Sequence, residues 1–277
     1  MKRRFIKMHG AGNDYIYFDC LREAEPEDPA ALSVRLSDRH KGIGGDGVVL
    51  ICPSAIADAK MRMFNADGSE GRMCGNAIRC VAKYLFDNVS PKERMSIETL
   101  SGVKELTVFA EGGKARSVRV DMGPASFAPA SVPVLWEGES AVGVPYTVGG
   151  RTFSITCLSM GSPHCVVFAD PDGEDLAAIG PLFENAPVFP ARVNTEFVRK
   201  IGERTLKMRV WERGSGETLA CGTGACAAAA AAVKLGLCPA GEEIEVRLRG
   251  GTLFVTVGET VFLRGPAEAV FTGEIEL

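Results

Sequence analysis

The chain has 277 residues, of which 46% are hydrophobic, 24% charged and 7% aromatic. This length suits one large domain or two smaller ones, and the composition excludes a disordered, collagenous or coiled-coil protein. The net charge of −4 leaves no extended basic surface, the longest apolar run (225–233) is too short to span a bilayer, and no N-terminal secretion signal is present. We therefore expect a cytoplasmic protein with reduced cysteines and with neither a nucleic-acid nor a membrane partner.

Apolar and β-branched runs predict ten strands, while amphipathic or small-residue runs predict four helices. In chain order these are strand 15–19, helix 29–39, strands 48–52 and 60–64, helix 76–86, strands 117–122, 152–158 and 165–169, helix 175–184, strand 206–212, helix 223–235, and strands 243–248, 253–257 and 260–264. A stretch rich in Pro, Gly, Ala and Ser divides them, which predicts an N-terminal half over 1–125, a connecting region over 126–149 and a C-terminal half over 150–265. A return of the C-terminal strand to the first half stays open.

An internal repeat indicates that the two halves are similar. Residues 61–76 (MRMFNADGSEGRMCGN) align without gaps on residues 208–223 (MRVWERGSGETLACGT), at an offset of 147 residues. Five positions are identical, among them Cys74/Cys221 and Gly75/Gly222, and each copy precedes a predicted helix. Each half is therefore predicted to run strand, polar turn, cysteine, helix.

A cysteine directly before a helix lies near unpaired N–H groups and the positive end of the helix dipole, which stabilise a thiolate. Two such thiols on opposite sides of one substrate could remove and return the proton of an α-carbon, which is a two-base racemisation or epimerisation. The repeat alone leaves open a second interpretation, in which Cys74 and Cys221 are small buried residues at strand ends.

Other functional classes fit the sequence less well. The GIGGDG stretch (42–47) precedes a predicted strand, whereas a dinucleotide-binding loop precedes a helix. The cysteine spacings are not those of a zinc site, so no metal is predicted. A Cys/His protease would use only one of the two matched thiols. A non-enzymatic amino-acid-binding protein stays open as an alternative.

Longer motifs resemble the diaminopimelate epimerase family of pyridoxal-independent, two-cysteine racemases and epimerases. They are HGAGNDY (9–15), FNADGSE (64–70), MCGNAIRC (73–80), MGSPHC (160–165), RVNTEF (192–197) and ERGSGETLACGTGACA (212–227). The resemblance implies an α/β (α+β) fold of two pseudo-symmetric domains, each a mostly antiparallel sheet curled around a central helix, with the active site in the interdomain cleft. It also implies cofactor-independent conversion of LL- to meso-diaminopimelate for lysine and peptidoglycan precursors, and a homodimer.

Carried over by matching motif, the catalytic residues are the base and acid Cys74 and Cys221 and the two polar groups that tune them, His164 and Glu212. The resemblance implies that the small-molecule substrate is bound by Asn13, Asn65, Gly75, Asn76, Asn194, Glu212, Arg213, Gly222 and Thr223. Two positions depart from the family pattern, because Gly47 replaces a usual glutamine and Ser162 a usual asparagine. Both concern substrate recognition, so a related racemase acting on another amino acid, such as histidine, stays open.

Overall fold

A computed structural model describes residues 2–276 of the chain. They form two compact units: the first contains residues up to Asp121 together with those from Arg264 onward, and the second spans Met122–Leu263. The elements are β1 (Lys2–Gly10), β2 (Asn13–Asp19), α1 (Pro29–Ser37), β3 (Gly47–Cys52), β4 (Ala59–Asn65), β5 (Glu70–Gly71), α2 (Gly75–Asn88), β6 (Arg94–Thr99), β7 (Gly102–Glu111), β8 (Lys114–Asp121), β9 (Val144–Val148), β10 (Arg151–Ser159), β11 (Pro163–Phe168), α3 (Leu176–Glu184), β12 (Asn194–Gly202), β13 (Thr205–Glu212), β14 (Gly216–Thr218), α4 (Gly222–Lys234), β15 (Glu243–Leu248), β16 (Gly251–Val257), β17 (Val261–Pro266) and β18 (Glu268–Glu276), with short 3-10 turns at Pro129–Ser131 and Pro171–Gly173.

The first unit is a mostly antiparallel sheet around helix α2. Antiparallel pairs join β1 to β2 and β18, β3 to β4, β4 to β5, β6 to β7 and β7 to β8, while β2/β3 and β4/β6 are parallel. Helix α2 is amphipathic and contacts strands on several sides, including β1, β2, β7, β8 and β18. Because its apolar face is buried against these strands, the sheet holds both ends of α2 in fixed positions.

The second unit repeats this pairing. Strand β10 pairs antiparallel with β9 and β11, β12 with β13, β13 with β14 and β15 with β16, while β11/β12 and β13/β15 are parallel. The central helix is α4, whose run of alanines is buried against β10 to β13, β15 and β16. Alanine has the highest helix propensity and the shortest apolar side chain, so strands can approach α4 closely on every side. No helix within residues 2–276 is long and apolar enough to cross a membrane.

Two of the identical positions of the repeat, an arginine and a glutamate, form the same ion pair in each unit. Nε of Arg62 lies 2.8 Å from Oε1 of Glu70, and Nε of Arg209 lies 2.8 Å from Oε1 of Glu217. In both units this pair fixes the hairpin that leads into the cysteine and its helix. The repeat therefore places two thiols at equivalent positions.

The division into units differs from the predicted connecting region. Residues 126–149 belong to the second unit, where Val132, Val134 and Ala141 are buried in its apolar core. The many Pro and Gly residues of this segment predict that it lacks long helices and strands. Its apolar side chains nevertheless pack into the core of the second unit. Strand β18 lies in the first unit, where it pairs with β1.

Candidate active site

In the first unit, Cys74 is the N-cap of α2, with an extended backbone (φ −135°, ψ 120°) that directs its side chain back toward the first turn. The N–H of Ala77 donates to its Sγ at 3.4 Å, and Sγ lies 3.4 Å from Oδ1 of Asn13. Cys74 is half-buried. The N–H of Ala77 favours a thiolate at Cys74, whereas the bond that Sγ donates to Oδ1 of Asn13 is made by the thiol.

Asn13 is oriented by a network of charged groups. Its Nδ2 donates to Oδ2 of Asp46 at 2.6 Å, which turns the amide oxygen toward Cys74. Asp46 in turn accepts from Arg39 at 2.9 Å. Burial, followed by the nearby Asp14 carboxylate, raises the pKa of Asp46. The amide of Asn13 is thus fixed in orientation before any ligand is present.

Gly47, one of the two departures from the family pattern, lies next to this network at the start of β3. A Cβ at this position would lie 2.0 Å from the carbonyl oxygen of Phe64, which no side chain can tolerate. The register pairs Gly47 with Asn65, whose Nδ2 donates to Oγ of Ser69 at 2.9 Å. The backbone here therefore requires glycine, and a glutamine could not replace it without moving β4.

Asn76 lies in the first turn of α2 and is almost fully buried. Its Oδ1 accepts from Nη2 of Arg79 at 2.7 Å, and Arg79 also donates to the carbonyl oxygens of Gly75 at 2.8 Å and Pro266 at 3.2 Å. The Asn76 carbonyl group thus supports the helix start. Any ligand contact by this side chain would use its Nδ2.

In the second unit, Cys221 is the N-cap of α4 and is 6% exposed. Its Sγ lies 3.4 Å from Oγ1 of Thr223. Burial raises the pKa of the Cys221 thiol well above its usual value, and the carboxylates of Glu212 and Glu196 raise it further. Burial and the two carboxylates therefore favour the thiol form of Cys221.

Glu212 ends β13 beside this thiol. Oγ1 of Thr218 donates to its Oε1 at 2.5 Å, and burial raises the pKa of Glu212, against the opposing effect of bonds from Thr218 and Cys221. His164 on β11 and Glu196 on β12 are both fully buried. Nδ1 of His164 lies 2.7 Å from Oε1 of Glu196. Ser162, the second departure, places its Oγ 2.9 Å from Nε2 of His164.

Asn194 and Arg213 form the outer part of the same half-site. The Asn194 side chain donates to the carbonyl oxygen of Pro163 at 3.0 Å and accepts from the N–H of Arg213 at 2.8 Å. It therefore links the strand that carries His164 to the loop that carries Arg213. The exposed Arg213 donates to the carbonyl oxygen of Ala191 at 3.0 Å through Nη1.

The structure thus groups the predicted residues by unit, with Cys74, Asn13, Asn65, Gly75 and Asn76 in the first. Those of the second unit are His164, Asn194, Glu212, Arg213, Cys221, Gly222 and Thr223. Sequence reasoning missed Glu196, Thr218 and Arg79. Within residues 2–276, no three His, Cys, Asp or Glu side chains are grouped so as to hold a metal ion.

Alkylation can test the difference between the two thiols. With iodoacetamide at pH 7.5, we expect Cys74 to react about tenfold or more faster than Cys221, since Cys221 is buried and held as a thiol. Peptide mass spectrometry over time measures both rates, with the buried Cys80 as an internal unreactive control. Faster labelling of Cys221 would contradict the assignment.

Comparison with solved structures first defines the class of fold. The model superposes on a hydroxyproline epimerase from Agrobacterium vitis with a TM-score of 0.68 at 15% identity, covering 99% of this chain and 91% of that one. It superposes equally well on a phenazine biosynthesis protein from Bacillus anthracis, with a TM-score of 0.70 at 15% identity over 100% of both chains. The fold is therefore the two-domain α/β fold that racemases and epimerases share.

Sequence comparison narrows this class to one family. The family model for diaminopimelate epimerase matches residues 5–128 and 156–270. The chain is 50% identical to the diaminopimelate epimerase of Acetivibrio thermocellus over 99% of both chains, and 48% identical to that of Methanococcus maripaludis over 99% of this chain and 100% of that one. The chain belongs to the diaminopimelate epimerase family and is an isomerase.

Proposed function

We propose that this enzyme interconverts LL- and meso-diaminopimelate, with Cys74 and Cys221 acting on opposite faces of one α-carbon. The observation that carries the proposal is the arrangement that both units share. In each, a hairpin with an Arg–Glu ion pair leads into a cysteine that is the N-cap of the central helix. A reversible proton exchange needs two groups that can swap the roles of base and acid, and one thiolate together with one thiol meets that need. The relatives' names supply the substrate.

From the two environments we infer the roles of the cysteines in the resting enzyme. Each sulfur accepts a helix N–H, from Ala77 at Cys74 and from Gly224 at Cys221, but Cys221 is also buried beside two carboxylates. In the first step the Cys74 thiolate removes the α-proton, and in the second the Cys221 thiol delivers its proton to the other face. The enzyme is left with a Cys74 thiol and a Cys221 thiolate, the form that runs the opposite reaction.

The helix starts provide the remaining chemistry. The first N–H groups of a helix have no acceptor within that helix, so those at Gly75, Asn76, Gly222 and Thr223 can bind the substrate carboxylate. These donors stabilise the negative charge that develops on the carboxylate when the α-proton leaves. No further group is needed as an electron sink in this scheme, and we propose that the reaction proceeds without pyridoxal phosphate.

Arg213 is proposed to bind the distal carboxylate of the substrate through its planar guanidinium. We expect Arg213→Lys to raise KM about tenfold while kcat changes less, since lysine keeps the charge but loses the bidentate geometry. Steady-state kinetics with LL-diaminopimelate measures both constants. Arg204→Lys, at an exposed ion pair with Glu242, is the matched control and should behave as wild type. An unchanged KM for Arg213→Lys would remove Arg213 from the site.

The experiment that tests the function is proton NMR of the reduced enzyme with LL-diaminopimelate in deuterated water, without added pyridoxal phosphate. We expect meso product that carries deuterium at the inverted α-carbon. A panel of other amino acids, including histidine, run in parallel tests whether Gly47 and Ser162 redirect the enzyme. Exchange with histidine and none with diaminopimelate would favour a related racemase.

Three further properties belong to this proposal. The enzyme is proposed to act in the cytoplasm, to form a homodimer and to supply meso-diaminopimelate for lysine and peptidoglycan precursors. The class of substrate supports the cytoplasmic location and the biosynthetic role, because such precursors are made inside the cell. Sedimentation equilibrium measures the oligomeric state, and a monomer at micromolar concentration would contradict the proposed homodimer.

A further inference from the structure

Glu196 is a buried carboxylate that the scheme above does not use. It lies in the middle of β12 with no exposed surface, and its Oε1 is 2.7 Å from Nδ1 of His164. Within residues 2–276 no hydrogen-bond donor reaches its second oxygen, Oε2. Burying a carboxylate with one oxygen unpaired is costly, so a chain keeps such a group where the charge has a use.

The first turn of α4 is built to admit this carboxylate. A Cβ at Gly224 would lie 2.8 Å from Oε1 of Glu196 and 3.3 Å from Sγ of Cys221. Glycine is less favourable in a helix than alanine, and this one lies in the first turn of a helix whose other positions are largely alanine. The missing side chain at Gly224 therefore leaves room for both the Glu196 carboxylate and the sulfur of Cys221.

We propose that Glu196 is a positioning residue of the Cys221 half-site: its carboxylate fixes the His164 imidazole through Nδ1, and its charge keeps the proton on Cys221. The inference rests on the proposed function. The two effects come from different properties of one side chain. The first depends on its length, because the carboxylate must reach Nδ1, and the second on its negative charge.

The fixed imidazole has a defined hydrogen-bond pattern. A carboxylate only accepts, so the proton between Glu196 and His164 is on Nδ1 when the pair forms, and Nε2 then faces the hydroxyl of Ser162. In the neutral ring Nε2 accepts from that hydroxyl. The half-buried Ser162 therefore completes a hydrogen-bonded series with the two buried residues His164 and Glu196.

Other titratable groups surround this pair. Cys165 on β11, Glu212 on β13 and Cys221 on α4 all interact electrostatically with Glu196, and Cys157 on β10 contacts Cys165. Burial raises the pKa of the Cys165 thiol well above its usual value, so Cys165 stays protonated and adds no charge. Glu212 and Glu196 are the two carboxyl groups that raise the pKa of Cys221.

Two substitutions separate length from charge. Glu196→Gln keeps an acceptor for Nδ1–H and removes the charge, whereas Glu196→Asp keeps the charge and draws it back by one methylene. Glu174→Gln, which replaces another carboxylate of the second unit at an ion pair with the surface residue Arg151, is the matched control. Three measurements are made on the reduced, full-length enzyme: the pH dependence of iodoacetamide labelling at Cys221, the ¹⁵N shifts of His164, and kcat and KM across pH.

We expect Glu196→Gln to move the midpoint of Cys221 labelling to lower pH by about half a unit or more, as removal of a neighbouring negative charge requires. Glu196→Asp should leave that midpoint near wild type but turn the ¹⁵N pattern of His164 into a mixture of tautomers. Both should lower kcat about tenfold or more with KM within about twofold, since a group that orients others without contacting substrate affects the chemical step. Glu174→Gln should match wild type.

An unchanged labelling midpoint in Glu196→Gln together with an unchanged His164 spectrum in Glu196→Asp would overturn the proposal. Equal losses in both variants and in Glu174→Gln would also overturn it, because the loss would then be one of general stability. Labelling and ¹⁵N shifts do not require turnover. If wild type fails to epimerise diaminopimelate, the proposed function fails while these two measurements still test Glu196.

Discussion

Replacing either Cys74 or Cys221 by alanine should abolish epimerisation, with a loss in kcat of about 10³-fold or more in each single variant. Each thiol supplies a proton transfer that the other cannot make from the opposite face, and one general acid or base contributes about 10²- to 10⁴-fold. The measurement is α-deuterium incorporation into meso-diaminopimelate by proton NMR. Serine variants should be equally inactive, because an alcohol is a far weaker acid than a thiol, yet they preserve an oxygen at the helix N-cap.

The same two helices provide controls for this experiment. Cys80 lies within α2 and Cys226 within α4, and both are fully buried. Their alanine variants remove a buried sulfur from the same helix and should retain wild-type turnover within about threefold at a temperature where they are folded. A Cys74 or Cys221 variant that keeps a tenth of wild-type activity would exclude the two-thiol scheme.

Arg79→Leu should destabilise the first unit severely, lowering the free energy of unfolding by about 3 kcal/mol or more. The guanidinium has no exposed surface, and it donates to Asn76 and to the carbonyl oxygens of Gly75 and Pro266. Leucine fills much of the volume but removes all three donated bonds, and a buried group such as Oδ1 of Asn76 that is left unpaired costs about 1–3 kcal/mol. Urea denaturation followed by circular dichroism measures the change.

Arg72→Leu is the control for that substitution. Arg72 is exposed, and its Nη2 contacts the carbonyl oxygen of Leu100 at 3.4 Å. Its loss should change the free energy of unfolding by less than about 0.5 kcal/mol. If Arg79→Leu were as mild, the buried guanidinium would not be what holds the start of α2.

The predicted fold class is confirmed, and the reason lies in the repeat and the strong patterns. The predicted strand 243–248 coincides with β15, and the predicted helices 76–86 and 223–235 begin within one residue of α2 and α4. Helices that are amphipathic or rich in small residues, and strands with one apolar face, show a clear repeat of apolar residues along the sequence. The motifs placed Cys74 and Cys221 at the helix starts, where the structure has them as N-caps.

Two of the omitted strands, β1 and β12, break that repeat of apolar residues with buried charged groups. The predicted elements lack β1, β6, β7, β9, β12 and β18, along with the short strands β5 and β14. In β1 the buried positions include Arg3 and Lys7, and in β12 they include Glu196, so alternation of apolar and polar residues cannot be seen there. β18 is exposed along most of its length. Tertiary partners, which a single sequence does not reveal, form these strands.

The same limit applies to the site. Motif spacing can nominate residues that approach a ligand, but Glu196 and Arg79 act through His164 and the start of α2. Their roles depend on contacts between distant strands and helices, such as the 32 positions that separate His164 from Glu196. Each lies in or beside a motif that was recognised, RVNTEF or MCGNAIRC, yet only the distances give it a role.

The pairing of β1 with β18 has a consequence for biosynthesis. Lys2 lies opposite Glu276 in that pair, so the first unit is finished only after the whole second unit has been translated. At about 5–20 residues per second, synthesis of this chain takes on the order of tens of seconds, during which the edge of β1 has no partner strand from β18. The second unit is one continuous segment of the chain and can fold before the first unit is complete. The first unit leaves the ribosome first and is completed last.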